Sequence, residues 1–188
     1  MFETLLHWDH TLFTWINHDW TNGFFDWFFP RWTDYHKTTY FKFGVFPAIL
    51  ALTYWRLRWK GLVFVLMLAV AVAINDGING KWIKFFFERP RPPLVPELQV
   101  MLRAPHYGGF SFPSNHAANM AFIAAFVTLY FPSLRWILFT MAFLTAYSRV
   151  YCGVHFPSDV IGGFIFGCSF GLVLAWLMRP LWRRIENV

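Results

Sequence analysis

A length of 188 residues with no Pro/Gly/Ser-rich linker predicts a single domain over 1–188. Hydrophobic residues at 57% and aromatics at 22%, against 14% charged, exclude an ordinary soluble domain, because so little polar surface cannot cover a body of this size. The net charge of +6 does not point to nucleic acid, because the 16 Lys and Arg gather at the ends of apolar runs and in three short polar segments instead of forming a basic face.

In chain order, residues 2–20 read as an amphipathic helix. Leu5, Leu12, Phe13, Ile16 and Trp20 fall on one side, and Glu3, His7, His10, Thr14 and Asn17 on the other. The pattern suits a helix lying in the membrane interface, with a first transmembrane span as the alternative. Glu3 and Asp9 stand where a signal peptide would be basic, so insertion is expected to rest on internal segments. The Phe and Trp residues of 20–46 read as interfacial anchors, a lid being the alternative.

Five apolar segments follow, at about 39–56, 60–83, 116–132, 134–152 and 157–179. Several have apolar cores shorter than the roughly 20 residues a span needs, so they cross only if their polar ends are counted. The expected fold is therefore all-α: a polytopic transmembrane bundle of five spans plus the interfacial helix, or six spans if that helix also crosses. Arg56, Arg58 and Lys60, then Arg135, then Arg179, Arg183 and Arg184 mark the cytoplasmic side. By alternation the loop 84–115 and the turn 149–157 emerge together on the opposite face. Gly163, Gly167 and Gly171 form a small-residue stripe suited to close helix packing. Cys152 and Cys168 lie too far apart along one apolar stretch for a disulfide.

The three polar segments are Lys84-x6-Arg91-Pro92, Pro113-Ser114-Asn115-His116 and Ser148-Arg149-x5-His155-x3-Asp159. Pro113 and Ser114 mark a helix start, where unpaired N–H groups favour phosphate; a simple N-cap serine and a buried histidine are the other reading. His155 and Asp159, four apart, allow the carboxylate to hold one imidazole nitrogen and leave the other free as a nucleophile, or else form a capping pair. Arg89, Arg91 and Lys84 supply cations for phosphate oxygens, or an ordinary basic juxtamembrane run. Asn75, Asp76 and Asn79 either line a site or serve helix capping and interhelical hydrogen bonds.

Together, at every fixed position, the three segments resemble the signature of the type 2 phosphatidic acid phosphatase family. The resemblance covers 84–159 by motif and the flanking spans by pattern; residues 1–38 lie outside it. It implies that His155 attacks phosphorus to form a phosphohistidine, that Asp159 orients it, and that His116 protonates the leaving oxygen and then activates water. It implies a phosphate cradle of Lys84, Arg91, Ser114 and Arg149; Asn115, Ser148 and Asp76 are expected beside it as supporting residues. Asn115 is a local variation where many members carry a small residue. The family uses no metal or other cofactor.

The expected function is thus a membrane lipid phosphatase acting on a phosphomonoester or diphosphate at the outer, periplasmic face of a bacterial inner membrane, with the C-terminus cytoplasmic. Undecaprenyl diphosphate, phosphatidylglycerol phosphate, phosphatidic acid and lipid A 1-phosphate are the candidate substrates. The rivals are a phosphotransferase using the same intermediate and a non-catalytic lipid-binding or transport protein. The related vanadium haloperoxidases are a remote choice for a chain suited to lipid.

Overall fold

A computed structural model describes residues 2–105 and 108–186, and among them every regular element is helical. Helix α1 (Phe2–Thr14) runs on through a π-helical stretch, Trp15–Asp19, which matches the helix expected over 2–20. Its inward face differs from the one expected. Asp9, Phe13, Ile16 and Asn17 are buried, whereas Leu5 is 63% and Trp20 is 53% exposed. The reason is local pairing. The Asn17 side chain donates to the carbonyls of Met101 and Tyr151, both at 2.9 Å, and accepts from the Met101 N–H at 2.8 Å. A buried amide so satisfied costs little, and the polar residue turns inward.

Helix α2 (Gly23–Thr33), unforeseen as a separate element, is N-capped by Asn22, whose side chain accepts from the Phe25 N–H at 2.9 Å. Its aromatic residues divide. Phe29 is buried, with its ring 5.0 and 4.9 Å from those of Tyr147 and Tyr151, while Phe24 and Trp27 stay exposed.

Helix α3 (Phe46–Leu57) and helix α4 (Trp59–Ile78) meet at Arg58, whose φ of 55° makes the reversal. Helix α4 continues through a π turn, Asn79–Ile83, into α5 (Lys84–Phe87), ending at Glu88 with a left-handed φ of 46°. Lys84 therefore stands on a helix, and the loop expected from 84 begins at Glu88. Helices α6 (Asn115–Tyr130), α7 (Arg135–Tyr151) and α8 (Pro157–Glu186) complete the bundle.

Helices α6 and α8 form the tightest pair. Ala117, Ala118, Ala121, Ala124 and Ala125 of α6 are buried, and Gly163, Gly167 and Gly171 of α8 lie against its backbone. A Cβ at Gly167 would come within 2.1 Å of the Ala118 carbonyl oxygen. The expected stripe is a true close approach. Away from the site, Phe64, Phe126, Tyr130 and Trp182 pack the other end of the bundle.

The outward face carries Leu66, Trp82, Phe86, Ile161, Ile165 and Trp176, each at least 56% exposed, as a lipid solvent requires. Two stretches are long and apolar enough to cross a membrane unaided, Trp59–Leu94 and Pro157–Ile185. Helices α3, α6 and α7, at 12, 16 and 17 residues, fall short of the roughly 20 a crossing requires. Cys152 and Cys168 are both free thiols.

Candidate active site

His155 sits in the turn between α7 and α8, which Gly153 makes possible with a φ of 78°. Its ring is 2% exposed. Nδ1 lies 3.5 Å from Asp159 Oδ2 and 3.4 Å from Ser111 Oγ. Asp159 is itself fixed: Oδ2 accepts from Ser111 Oγ at 2.5 Å and from the Phe156 N–H at 2.7 Å, and Oδ1 accepts from Arg89 at 2.8 Å. A carboxylate can only accept, so it and Ser111 favour the proton on Nδ1, leaving the lone pair on Nε2. Burial, and then the charges of Arg149, Arg91 and Lys84, push the His155 ring well below its ordinary value of 6.5. Burial thus favours the neutral ring.

Arg89 and Ser111 were not singled out as part of this pair by the sequence. Arg89 reaches Asp159 with one nitrogen and Asp9 of α1 with another, at 2.6 Å. Asp9 in turn accepts from the Ser158 N–H at 2.8 Å and from its hydroxyl at 2.6 Å. A residue of the first helix thus caps the N-terminus of the last, where N–H groups lack intrahelical partners.

The cations converge on the cavity that His155 lines. Arg91 lies 3.3 Å from Nε2 and is held by the carbonyls of Gly109 and Val154, both at 3.2 Å. Lys84 donates to the Phe110 carbonyl at 2.7 Å. Arg149, 1% exposed, donates to Thr33 Oγ1 of α2 at 2.7 Å. These residues line a cavity of 430 Å³ together with His116, His155 and Lys37. Ser114 makes no side-chain cap bond, and its buried hydroxyl has no hydrogen-bond partner among the described residues. The missing cap bond argues against the simple capping reading, but Ser114 itself does not line the cavity, whose wall on this side is Asn115 and His116.

Two expected supporting residues hold helices together. Asp76 Oδ1 accepts from Asn115 at 3.0 Å and Asn119 at 2.8 Å, while Asn79 donates to Asn115 at 2.7 Å and Asn75 to Asn119 at 2.6 Å. This ladder ties α4 to α6, with Asn115 also on the cavity wall. Ser148, the third, is fully buried, donates back to the Thr145 carbonyl of its own helix at 2.7 Å and does not line the cavity.

His116 has an unexpected partner. Its Nε2 lies 3.0 Å from Asp34 Oδ1, just past the end of α2, and the Lys37 ammonium lies 2.9 Å from the same oxygen. The hydrogen bond from His116, with Lys37 in support, holds the Asp34 carboxyl well below the usual carboxylate range. Asp34, His36 and His116 bring one ligand atom each within 4.8 Å of one another, the donor set a cation would use. A cation there would have to displace the Lys37 ammonium and break the His116 hydrogen bond, so the cluster fits a proton-handling pair better than a metal. A second, largely apolar cavity of 460 Å³ shares Asn115 and His116 with the first and is walled by Tyr35, Phe41, Val72 and Ile123.

The family model described as the PAP2 superfamily matches residues 60–183. Over 151 residues the chain is 28% identical to a lipid A 4'-phosphatase of Bacteroides thetaiotaomicron, covering 76% of this chain and 67% of that one. It spans about two thirds of the length of the curated relatives it matches. The crystal structure of Aquifex aeolicus LpxE superposes with a TM-score of 0.66 at 32% identity, over 87% of this chain and 92% of that one. A transmembrane PAP2-type phosphatidylglycerolphosphate phosphatase from Bacillus subtilis gives a TM-score of 0.63 at 27% identity, over 97% and 88%.

Proposed function

Because the chain belongs to the PAP2 superfamily, and so is a membrane-bound phosphoric ester hydrolase, we propose that it removes phosphate from a lipid phosphomonoester or diphosphate through a phosphohistidine. One observation carries this reading. Buried His155 lines a single cavity with Lys84, Arg91, Arg149 and His116, and its Nε2 lies 3.3 Å from Arg91. Such a cavity offers a nucleophile, an acid and three cations to one phosphoryl group.

In the proposed reaction, the phosphate oxygens sit among Lys84, Arg91, Arg149 and the Ser114 hydroxyl. His155 Nε2 donates its electron pair to phosphorus as the bond to the leaving oxygen breaks, and His116 gives that oxygen its proton. Asp159 stabilises the positive charge that develops on the His155 ring. In the second half His116 takes a proton from water, whose oxygen attacks phosphorus and frees His155. The developing charge is met at each stage by groups already in place, which is how such sites lower a barrier.

The apolar cavity that meets the polar one at His116 supports a lipid as the leaving group. The exposed aromatic and aliphatic girdle supports a membrane location. Within this reading the bundle crosses five times, with α1 in the interface and the site on the periplasmic side of an inner membrane, opposite the basic C-terminal end. The lipid A name of one relative and the phosphatidylglycerolphosphate name of another set the first substrates to try, followed by phosphatidic acid and undecaprenyl diphosphate.

The test is phosphate release from these four lipids by the purified protein in detergent with EDTA present and no added acceptor. Wild type should release phosphate from at least one, and His155→Ala from none. Release by His155→Ala at wild-type rates would sink the nucleophile assignment. Phosphate transfer only when a hydroxyl acceptor is supplied would make the protein a transferase.

A further inference from the structure

We propose that Asp34, outside all three signature segments, is the positioning residue of His116, as Asp159 is for His155. The hydrogen bond spans 82 residues of sequence at 3.0 Å. Since a carboxylate only accepts, it fixes the proton on Nε2 and turns Nδ1 into the nitrogen that exchanges protons with the leaving oxygen and with water. It also stabilises the imidazolium that His116 becomes in each cycle, the service an aspartate gives a histidine in other acid–base pairs.

The surroundings make Asp34 a rigid support. Helix α2, which ends one residue before it, is pinned to α7 at three points. The ring of Phe29 lies between Tyr147 and Tyr151, Trp32 Nε1 donates to Thr145 Oγ1 at 3.2 Å, and Thr33 Oγ1 accepts from Arg149 at 2.7 Å. Lys37, on the cavity wall, braces the same carboxylate oxygen at 2.9 Å. A residue held this firmly can fix a ring orientation to the few tenths of an ångström that proton transfer demands.

The inference rests on the reading of His116 as the acid and base of a phosphatase, and the experiment separates the two. Wild type, Asp34→Asn, Asp34→Glu, His116→Ala and the Asp34→Asn/His116→Ala double variant are compared on a lipid phosphomonoester and on p-nitrophenyl phosphate. The lipid alkoxide needs a proton to leave, whereas p-nitrophenolate does not. Asp34→Asn should lower kcat on the lipid by about 10²-fold, the low end of an acid–base contribution, with KM little changed. The pre-steady-state burst of p-nitrophenol should keep its wild-type rate within threefold. Asp34→Glu should recover part of the lipid rate, and the double variant should be no slower than His116→Ala alone, because groups acting as one unit are not additive.

An equal loss in the lipid rate and in the p-nitrophenol burst, or a double variant much slower than His116→Ala, would make Asp34 a general structural residue and overturn the proposal. So would a lipid rate in Asp34→Asn equal to wild type while His116→Ala is impaired. If His116→Ala itself has full lipid activity, the acid–base reading of that histidine fails, and the proposal with it. Should Asp34→Asn fail to fold, Asp34→Glu carries the test, with a lipid defect and an intact p-nitrophenol burst expected and an equal defect in both refuting it.

Discussion

Substituting the glycines of α8 by alanine tests whether the α6–α8 contact sets the geometry of the site. A Cβ at Gly167 would lie 2.1 Å from the Ala118 carbonyl oxygen, at Gly163 2.6 Å from that of Ser114, and at Gly171 2.8 Å from that of Phe122. Ordinary contact needs about 3.5 Å, so Gly167→Ala must open the gap along that direction by roughly 1.4 Å. Alanine gains about 1 kcal/mol of helix propensity over glycine, while overpacking costs about 1–3 kcal/mol or more. At Gly167 the obstacle is backbone, which cannot swing aside, so the clash wins. A net loss of about 2 kcal/mol corresponds to a melting temperature lower by roughly 4–8 °C. Gly163→Ala presses on the carbonyl of Ser114, whose own N–H donates to the Asp159 carbonyl at 3.0 Å. It should therefore cost activity first, on the order of 10²-fold for a displacement near 1 Å. Gly77, with nothing within 4 Å of its added Cβ, is the control and should tolerate alanine. Thermal unfolding in detergent and phosphate release from lipid provide the two readouts. A Gly167→Ala protein that melts at or above wild type would refute the reasoning.

Two other expectations concern single buried groups. Asn17→Ala strands the Met101 N–H and the carbonyls of Met101 and Tyr151, and should destabilise the protein by about 2–4 kcal/mol; a shift in melting below 2 °C would show those groups to be satisfied otherwise. His155, in the turn outside the membrane-spanning helices, binds a proton less readily folded than unfolded. As pH falls through 6.5, the unfolded chain gains a proton that the folded one refuses, so stability contributed above 6.5 is lost below it, by at most about 1.4 kcal/mol per pH unit for one group. Melting between pH 7 and 5 should fall less steeply in His155→Asn than in wild type, and equal slopes would contradict the burial argument.

Local spacing made much of the site legible. His155 and Asp159 are four apart across a helix start, and Lys84 and Arg91 flank a helix end, so short fixed intervals carried their pairing. The glycine stripe was legible for the same reason, because a four-residue period lies on one face of one helix. Ser148 shares the motif's spacing yet turns into its own helix. Asp34, Asp9 and Ser111 join their partners across 82, 80 and 48 residues, and no periodicity announces such pairs. The inward face of α1 departs from the periodicity because its polar residues are buried with partners. When the surroundings are lipid, the protein interior is where a polar group finds partners, so Asn17 and Asp9 turn in while Leu5 and Trp20 turn out.

The same physics explains why the segment before the matched region supports the site. Each histidine lies beside a carboxylate, and a buried carboxylate is expensive unless cations or N–H groups surround it. Arg89 partly neutralises Asp159 and is itself balanced by Asp9 of α1. Lys37 does the same for Asp34 beyond α2. The family match begins at residue 60, but both charge networks close only with residues before it. Helices α1 and α2 therefore complete the electrostatics of the signature residues. Loosening either helix should disturb one histidine before the other, Asp9 acting toward His155 and Asp34 toward His116.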